Sequence, residues 1–263
     1  MKKLLLLVAS ATLVVPVLAM AQSSFDGTWK GDLASSKLPE KPDVYLLKEG
    51  MYHCKTCAPP YAVKADGSDQ KIKGHPYFDT DSITVVDART ITDTFKKAGK
   101  AVVTDRVTVS ADGTTASFEF SDSSAGNGTP ITGSGKMVRV EKGPPGSHAI
   151  SGAWRTTKID TMSDSGLVVT FKVDGGQLKM SNPLGQTYTA KLDGTDAPYV
   201  GDPGTSSVSV RSVDKNTIEE SDKRAGKVIS VARMSISADG KTMTVDWSDR
   251  LHGTTGTYVA HKQ

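Results

Sequence analysis

The chain has 263 residues, with 32 Lys and Arg against 29 Asp and Glu, 6% aromatic residues and two cysteines. So even a charge balance excludes the basic footprint of a nucleic-acid binder, and no amphipathic cationic helix marks a membrane-surface protein. The length suffices for two domains, each with a modest single core.

Residues 1–21 have the form of a secretory leader. Lys2 and Lys3 precede an apolar run over residues 4–18, and Ala19-Met20-Ala21 supplies a small-x-small cleavage site. The run is too short to span a bilayer, which takes about 20 apolar residues. The expectation is cleavage before Gln22, no transmembrane segment in the remaining chain, and a periplasmic or secreted protein. Phe25-Asp26-Gly27-Thr28-Trp29-Lys30 then opens a series of short apolar runs at 44–47, 61–64 and 82–86. Residues 101–109 and 114–120 flank Asp112-Gly113, an Asp-Gly turn that predicts a β-hairpin. Lys97-Ala98-Gly99-Lys100 turns the preceding strand back, which makes a meander. A further run at 135–140 leads into a Gly- and Pro-rich linker over 142–149.

After the linker the chain repeats itself. Residues 86–101 match 213–228 at 8 of 16 positions, 110–122 match 237–249 at 7 of 13, and 61–67 match 188–194 at 4 of 7. Ile150-Ser151-Gly152-Ala153-Trp154-Arg155 pairs with the opener of the first copy. So long a period marks a duplicated domain rather than a solenoid. Short strands with Gly, Asp and Pro between them, and no helical periodicity, predict an all-β protein. The expectation is two tandem antiparallel barrels, or barrel-like sandwiches, over residues 22–141 and 150–263.

Gly27-Thr28-Trp29 and Gly152-Ala153-Trp154 stand at the head of each copy. This placement resembles the Gly-x-Trp opener of lipocalins, where the Trp plugs the closed end of an eight-stranded barrel. The layout is similar to exported bacterial proteins of uncharacterised function with tandem lipocalin-like, or calycin-like, repeats. The resemblance implies that Trp29 and Trp154 form barrel floors or contact a ligand. It also implies a basic residue stacked on each Trp: Arg139 in the first copy, with Ala260 at the counterpart position in the second.

Tyr52-His53-Cys54-Lys55-Thr56-Cys57 contains both cysteines. Aligned on the repeat, His53, Cys54 and Cys57 face Met180, Ser181 and Leu184, and His75 faces Ala197. Three readings are open. The pair can form a structural disulfide, natural in an exported protein. It can be a redox-active dithiol, although Pro59-Pro60 leads into a strand and not into the helix that stabilises a thiolate. Or His53, Cys54, Cys57 and His75 can ligate a soft metal.

No nucleophile elbow, P-loop, dinucleotide fingerprint, zinc-protease motif or EF-hand loop occurs. The Asp-Gly pairs are explained by turn chemistry. The sequence therefore points to a non-enzymatic protein without a cofactor. The expected partner is a small, partly apolar ligand, or alternatively an envelope protein bound by filled barrels.

Overall fold

The computed structural model describes residues 23–263, so the leader lies outside the described residues. The described residues are all-β, with twenty strands and one short 3-10 turn at Asp164–Gly166. The first ten strands are β1 (Gly27–Lys37), β2 (Asp43–Lys48), β3 (Met51–Cys54), β4 (Tyr61–Lys64), β5 (Gln70–Lys71), β6 (Thr80–Val85), β7 (Thr90–Lys97), β8 (Lys100–Val109), β9 (Thr115–Asp122) and β10 (Ile131–Lys142). The second ten are β11 (Gly152–Met162), β12 (Val168–Asp174), β13 (Gln177–Ser181), β14 (Thr187–Lys191), β15 (Asp193–Val200), β16 (Ser207–Asp214), β17 (Thr217–Arg224), β18 (Lys227–Ile236), β19 (Thr242–Asp249) and β20 (Thr254–Lys262).

Local chemistry accounts for the hairpins. Ser110 and the Thr114 amide both donate to Asp112 Oδ1, and Gly113 takes φ 71°. Ser237, the Lys241 amide, Asp239 and Gly240 repeat that turn in the second copy. The β7–β8 and β17–β18 reversals use Ala98-Gly99 and Ala225-Gly226, all four with positive φ. Two consecutive left-handed residues give the turn whose twist matches a two-residue hairpin.

The sheets do not follow the repeats. Strand β1 lies between β12 and β20 and completes a closed ten-stranded barrel with β12–β20. Strand β11 lies between β10 and β2 in the other ten-stranded sheet, whose order is β4-β3-β2-β11-β10-β9-β8-β7-β6-β5. The two copies have exchanged their opening strands. Residues 22–141 and 150–263 are thus repeats in sequence but not separate bodies, which corrects the expectation of two contiguous barrels. The short linker explains the exchange. Lys142, at the end of β10, pairs with Gly152 at the start of β11, so residues 143–151 merely turn the chain onto the adjacent position of the same sheet.

The barrel containing β2–β11, hereafter the first, is nearly closed. Its unpaired edges are β4 and β5, consecutive in the chain. The turn between them is tied across the gap, as Gly67 donates its amide to Ile83 O and Ser82 donates its hydroxyl to Gly67 O.

Each exchanged strand carries its Trp into the partner barrel. Trp29 packs with Phe171, Leu178 and Val208, and Trp154 packs with Leu47, Ile83 and Val109; both are fully buried. Trp29 Nε1 donates to Phe25 O at 2.9 Å and Trp154 Nε1 to Ile150 O at 2.7 Å, so the indole polar atom is satisfied within its own strand entry. The Arg139 guanidinium lies 4.0 Å from the Trp154 ring centre and donates to Gly113 O, Ser151 O and Ala149 O. In the closed barrel it is Lys262, not Ala260, that covers the Trp, with Nζ 5.1 Å from the Trp29 ring centre. The loop before the last strand has four residues in the second copy (250–253) against eight in the first (123–130), so the repeat offset falls from 127 to 123 and Lys262 becomes the counterpart of Arg139. Arg139 pairs with Trp154 in the ladder as Lys262 pairs with Trp29.

Thr28 and Thr170 lie on neighbouring strands with hydroxyl oxygens 2.9 Å apart. A Thr28→Cys/Thr170→Cys variant is expected to form a disulfide across 142 residues of chain, seen as a faster-migrating band on non-reducing electrophoresis. Contiguous barrels would leave both thiols free.

Candidate functional site

The inward positions of the two barrels correspond through the ladders, and the two interiors differ. Cys54, Val107 and Ala116 of the first barrel are matched by Met180, Met234 and Met243 of the second. All three methionines are buried. An unbranched thioether fills irregular space, and the core of the closed barrel is packed by these side chains with Trp29, Phe171 and Leu178.

In the first barrel the smaller side chains leave a cavity of about 350 Å³. Tyr45, Tyr52, Tyr61, Phe95, Phe118 and Phe120 form its aromatic wall, and Ile91, Val107, Met137 and Ile150 complete the apolar part. Two glycines of β10 keep the lumen open. Gly135 faces Phe118 and Gly133 faces Phe120 across the ladder, and a Cβ at Gly135 would lie 2.5 Å from the Phe118 ring. Both rings therefore lie along the sheet.

Two loops bear on the cavity wall and together form its roof. One is the Cys54–Cys57 segment, closed as a disulfide. The other covers residues 73–79, where His75 stacks on Phe78 with centroids 4.9 Å apart and meets the Tyr61 ring edge-on at 5.4 Å. Phe78 in turn contacts Phe95 at 4.4 Å. The closed barrel braces this roof, because Tyr77 donates its hydroxyl to Asp202 Oδ1 at 2.9 Å.

Three carboxylates face the lumen: Asp43 at the rim, Asp93 on β7 and Asp105 on β8. Asp93 is 8% exposed, and Asp81, on the same inner face of β6, is fully buried. Neither oxygen of Asp81 nor Oδ1 of Asp93 has a hydrogen-bond partner. Burial, and then the neighbouring Asp81, pushes the Asp93 carboxyl well above the usual carboxylate range. Burial also raises Asp81, and it lifts Asp105 to about 6. The closed barrel gives each of its buried acids a donor, although Asp222 Oδ1 has no partner. Glu220, the counterpart of Asp93, accepts a hydrogen bond from Tyr188, and Asp222 Oδ2 accepts one from Ser230 at 2.7 Å. Burial still carries Glu220 up to about 8.

Of the residues singled out by sequence, Cys54 and Cys57 come together as the disulfide and line the cavity. The ladder pairs Cys54 with Tyr45 and Tyr61 as it pairs Met180 with Phe171 and Tyr188. The repeat partner of Cys54 is therefore Met180 and not Ser181. His53 alternates with Tyr52 and Cys54 on β3, so it points out of the barrel. Both sulfurs are consumed by the disulfide, and His75 stands in the roof. His53, Cys54, Cys57 and His75 do not converge, and among the described residues no group of three His, Cys, Asp or Glu is arranged to hold a metal ion. Trp29 and Trp154 are fully buried in the two cores, and neither lines the cavity. Sequence reasoning missed Asp81, Asp93 and Asp105. The available signal was their inward position within Ile91-x-Asp93-x-Phe95 and Val103-x-Asp105-x-Val107.

No protein-family model matches this chain, and no curated protein matches it. No helix among the described residues is long and apolar enough to cross a membrane.

The buried acids bind protons more tightly folded than unfolded. Their contribution to stability is complete below the unfolded carboxylate range, near pH 4, and is lost as pH rises through the folded values, about 6 for Asp105 and about 8 for Glu220. Turn aspartates work the other way: Asp112, held at about 2 by Ser110 and the Thr114 amide, loses its contribution only in strong acid. The melting temperature is expected to fall by several degrees between pH 6 and pH 9, at about 2–4 °C per kcal/mol for a chain of this size. Glu220→Gln should flatten the upper part of that profile in a calorimetric pH series.

Proposed function

We propose that this chain is an exported, non-enzymatic, lipocalin-like binding protein that holds one small, partly apolar ligand in its first barrel. The observation that carries the reading is the cavity of about 350 Å³ walled by six aromatic side chains. A concave, largely apolar space with a few convergent polar groups is the usual form of a small-molecule site. The asymmetry between the barrels supports it further. One interior is filled by methionines at the positions where the other carries Cys54, Val107 and Ala116. The leader-like residues 1–21 and the closed Cys54–Cys57 disulfide support export to an oxidising compartment. In this reading the closed barrel acts as scaffold. It supplies β1's sheet position and braces the roof through Asp202.

The test is titration with a neutral naphthyl fluorophore such as N-phenyl-1-naphthylamine. One dye is expected to bind per chain with micromolar affinity. Val107→Phe, which projects a larger ring into the lumen, should weaken binding at least tenfold with an unchanged far-UV spectrum. Absence of binding by the native protein, or equal binding by a correctly folded Val107→Phe variant, would overturn the reading.

A further inference from the structure

The cavity carries an electrostatic signature that a general apolar site does not need. Its charged lining residues are Asp43, Asp93 and Asp105; no Lys, Arg or His lines it. The one basic side chain in the roof, His75, sits between Tyr61 and Phe78, and burial lowers its proton affinity. Behind Asp93 on the same inner face stands Asp81. Three of the four oxygens of this pair have no partner within the protein, although both side chains are more than nine-tenths buried.

Buried polar groups in folded proteins are nearly always hydrogen-bonded, and a buried charge is normally paired. At the position equivalent to Asp93 the second copy does follow that rule, because Tyr188 donates to Glu220, while Asp222 there keeps one oxygen without a partner. In the first copy Asp93 Oδ1 has no such donor, and its carboxyl lines the cavity. The aromatic wall is suited to the same kind of guest, because the faces of Tyr and Phe rings attract cations. An anionic ligand, such as a fatty acid, would instead meet a lining whose ionisable groups near the lumen are acids with no basic partner.

Resting on the binding reading above, we infer that the ligand of the first barrel is an organic cation: an amine with an aromatic or compact apolar body. Its ammonium group would lie against Asp93 and Asp105, and its body would lie among Tyr45, Tyr61, Phe118 and Phe120. The ammonium donates to Asp93 Oδ1, which the fold leaves without a partner, and to the Asp105 carboxylate, in charge-assisted hydrogen bonds stronger than neutral ones. The apolar body fills the space that the methionines occupy in the second barrel.

An isosteric series separates charge from shape. The probes are 1-naphthylmethylamine, 1-naphthalenemethanol and 1-naphthoate, titrated calorimetrically at pH 7.5 against the full chain. The ammonium is expected to bind at least tenfold tighter than the alcohol, and the carboxylate to bind more weakly than either. Asp93→Asn should bring the ammonium-to-alcohol ratio to within about twofold, and Asp105→Asn, at a less buried position, should lower the same ratio if Asp93→Asn does not fold. Equal affinity of the native protein for ammonium and alcohol, or a preference for the carboxylate, would overturn the charge assignment and leave the cavity reading standing. Failure of all three probes to bind would overturn both.

Discussion

The exchange of opening strands is the constraint on which the rest of the molecule depends. A Trp at the closed end of a barrel has to be delivered by a strand that belongs to that barrel's sheet, and here each such strand comes from the other repeat. Trp154 is held from both sides. Its own Nε1 is anchored on Ile150 O, and Arg139 covers its face while gathering carbonyls from the Gly113 turn and the linker. A linker of nine residues is thereby built into the floor of the first barrel. Lys262 supplies a simpler version of the same cover over Trp29, a point charge in place of a planar fork.

Given that shared frame, a handful of substitutions decides what each barrel contains. Ladder geometry places Cys54 opposite Tyr45 and Tyr61, and Met180 opposite Phe171 and Tyr188. The backbone path is the same, and the side-chain volume differs. The disulfide contributes by holding Cys54 and Cys57 in the cavity wall as well as by fixing the roof loop. In a four-residue loop its entropic contribution is only about 2 kcal/mol in the chain-entropy view, so its position at the rim matters more than its stabilising power.

The elements that a local signal specifies were legible in the sequence. The Asp112-Gly113 hairpin became β8 and β9, residues 61–64 became β4, and the run at 135–140 is the centre of β10. The exchange was not legible, because Gly27-Thr28-Trp29 and Gly152-Ala153-Trp154 are nearly equivalent and neither repeat has a residue that rejects the other's opener. The cysteine alignment slipped by one position because the offset between copies changes along the chain, and a one-residue slip in a strand reverses its faces. Reading His53 and Cys54 together as ligands overlooked that neighbours on a strand point to opposite sides. The interior acids were hidden by composition. In strands rich in Thr, Ser and Lys, an Asp reads as one more solvated residue until the alternation is followed strictly.

Strand β1 is made first, yet both of its neighbours in the sheet, β12 and β20, are made late. Every other pairing in the closed barrel joins strands that follow each other in the chain. The closing step therefore spans almost the whole polypeptide, and such non-local pairing slows folding because loop entropy is spent before contacts form. Until residues 254–262 emerge, the segment carrying Trp29 has no finished sheet to enter. Strand β1 waits for β20, and through that interval the backbone groups along its edges are open to other chains.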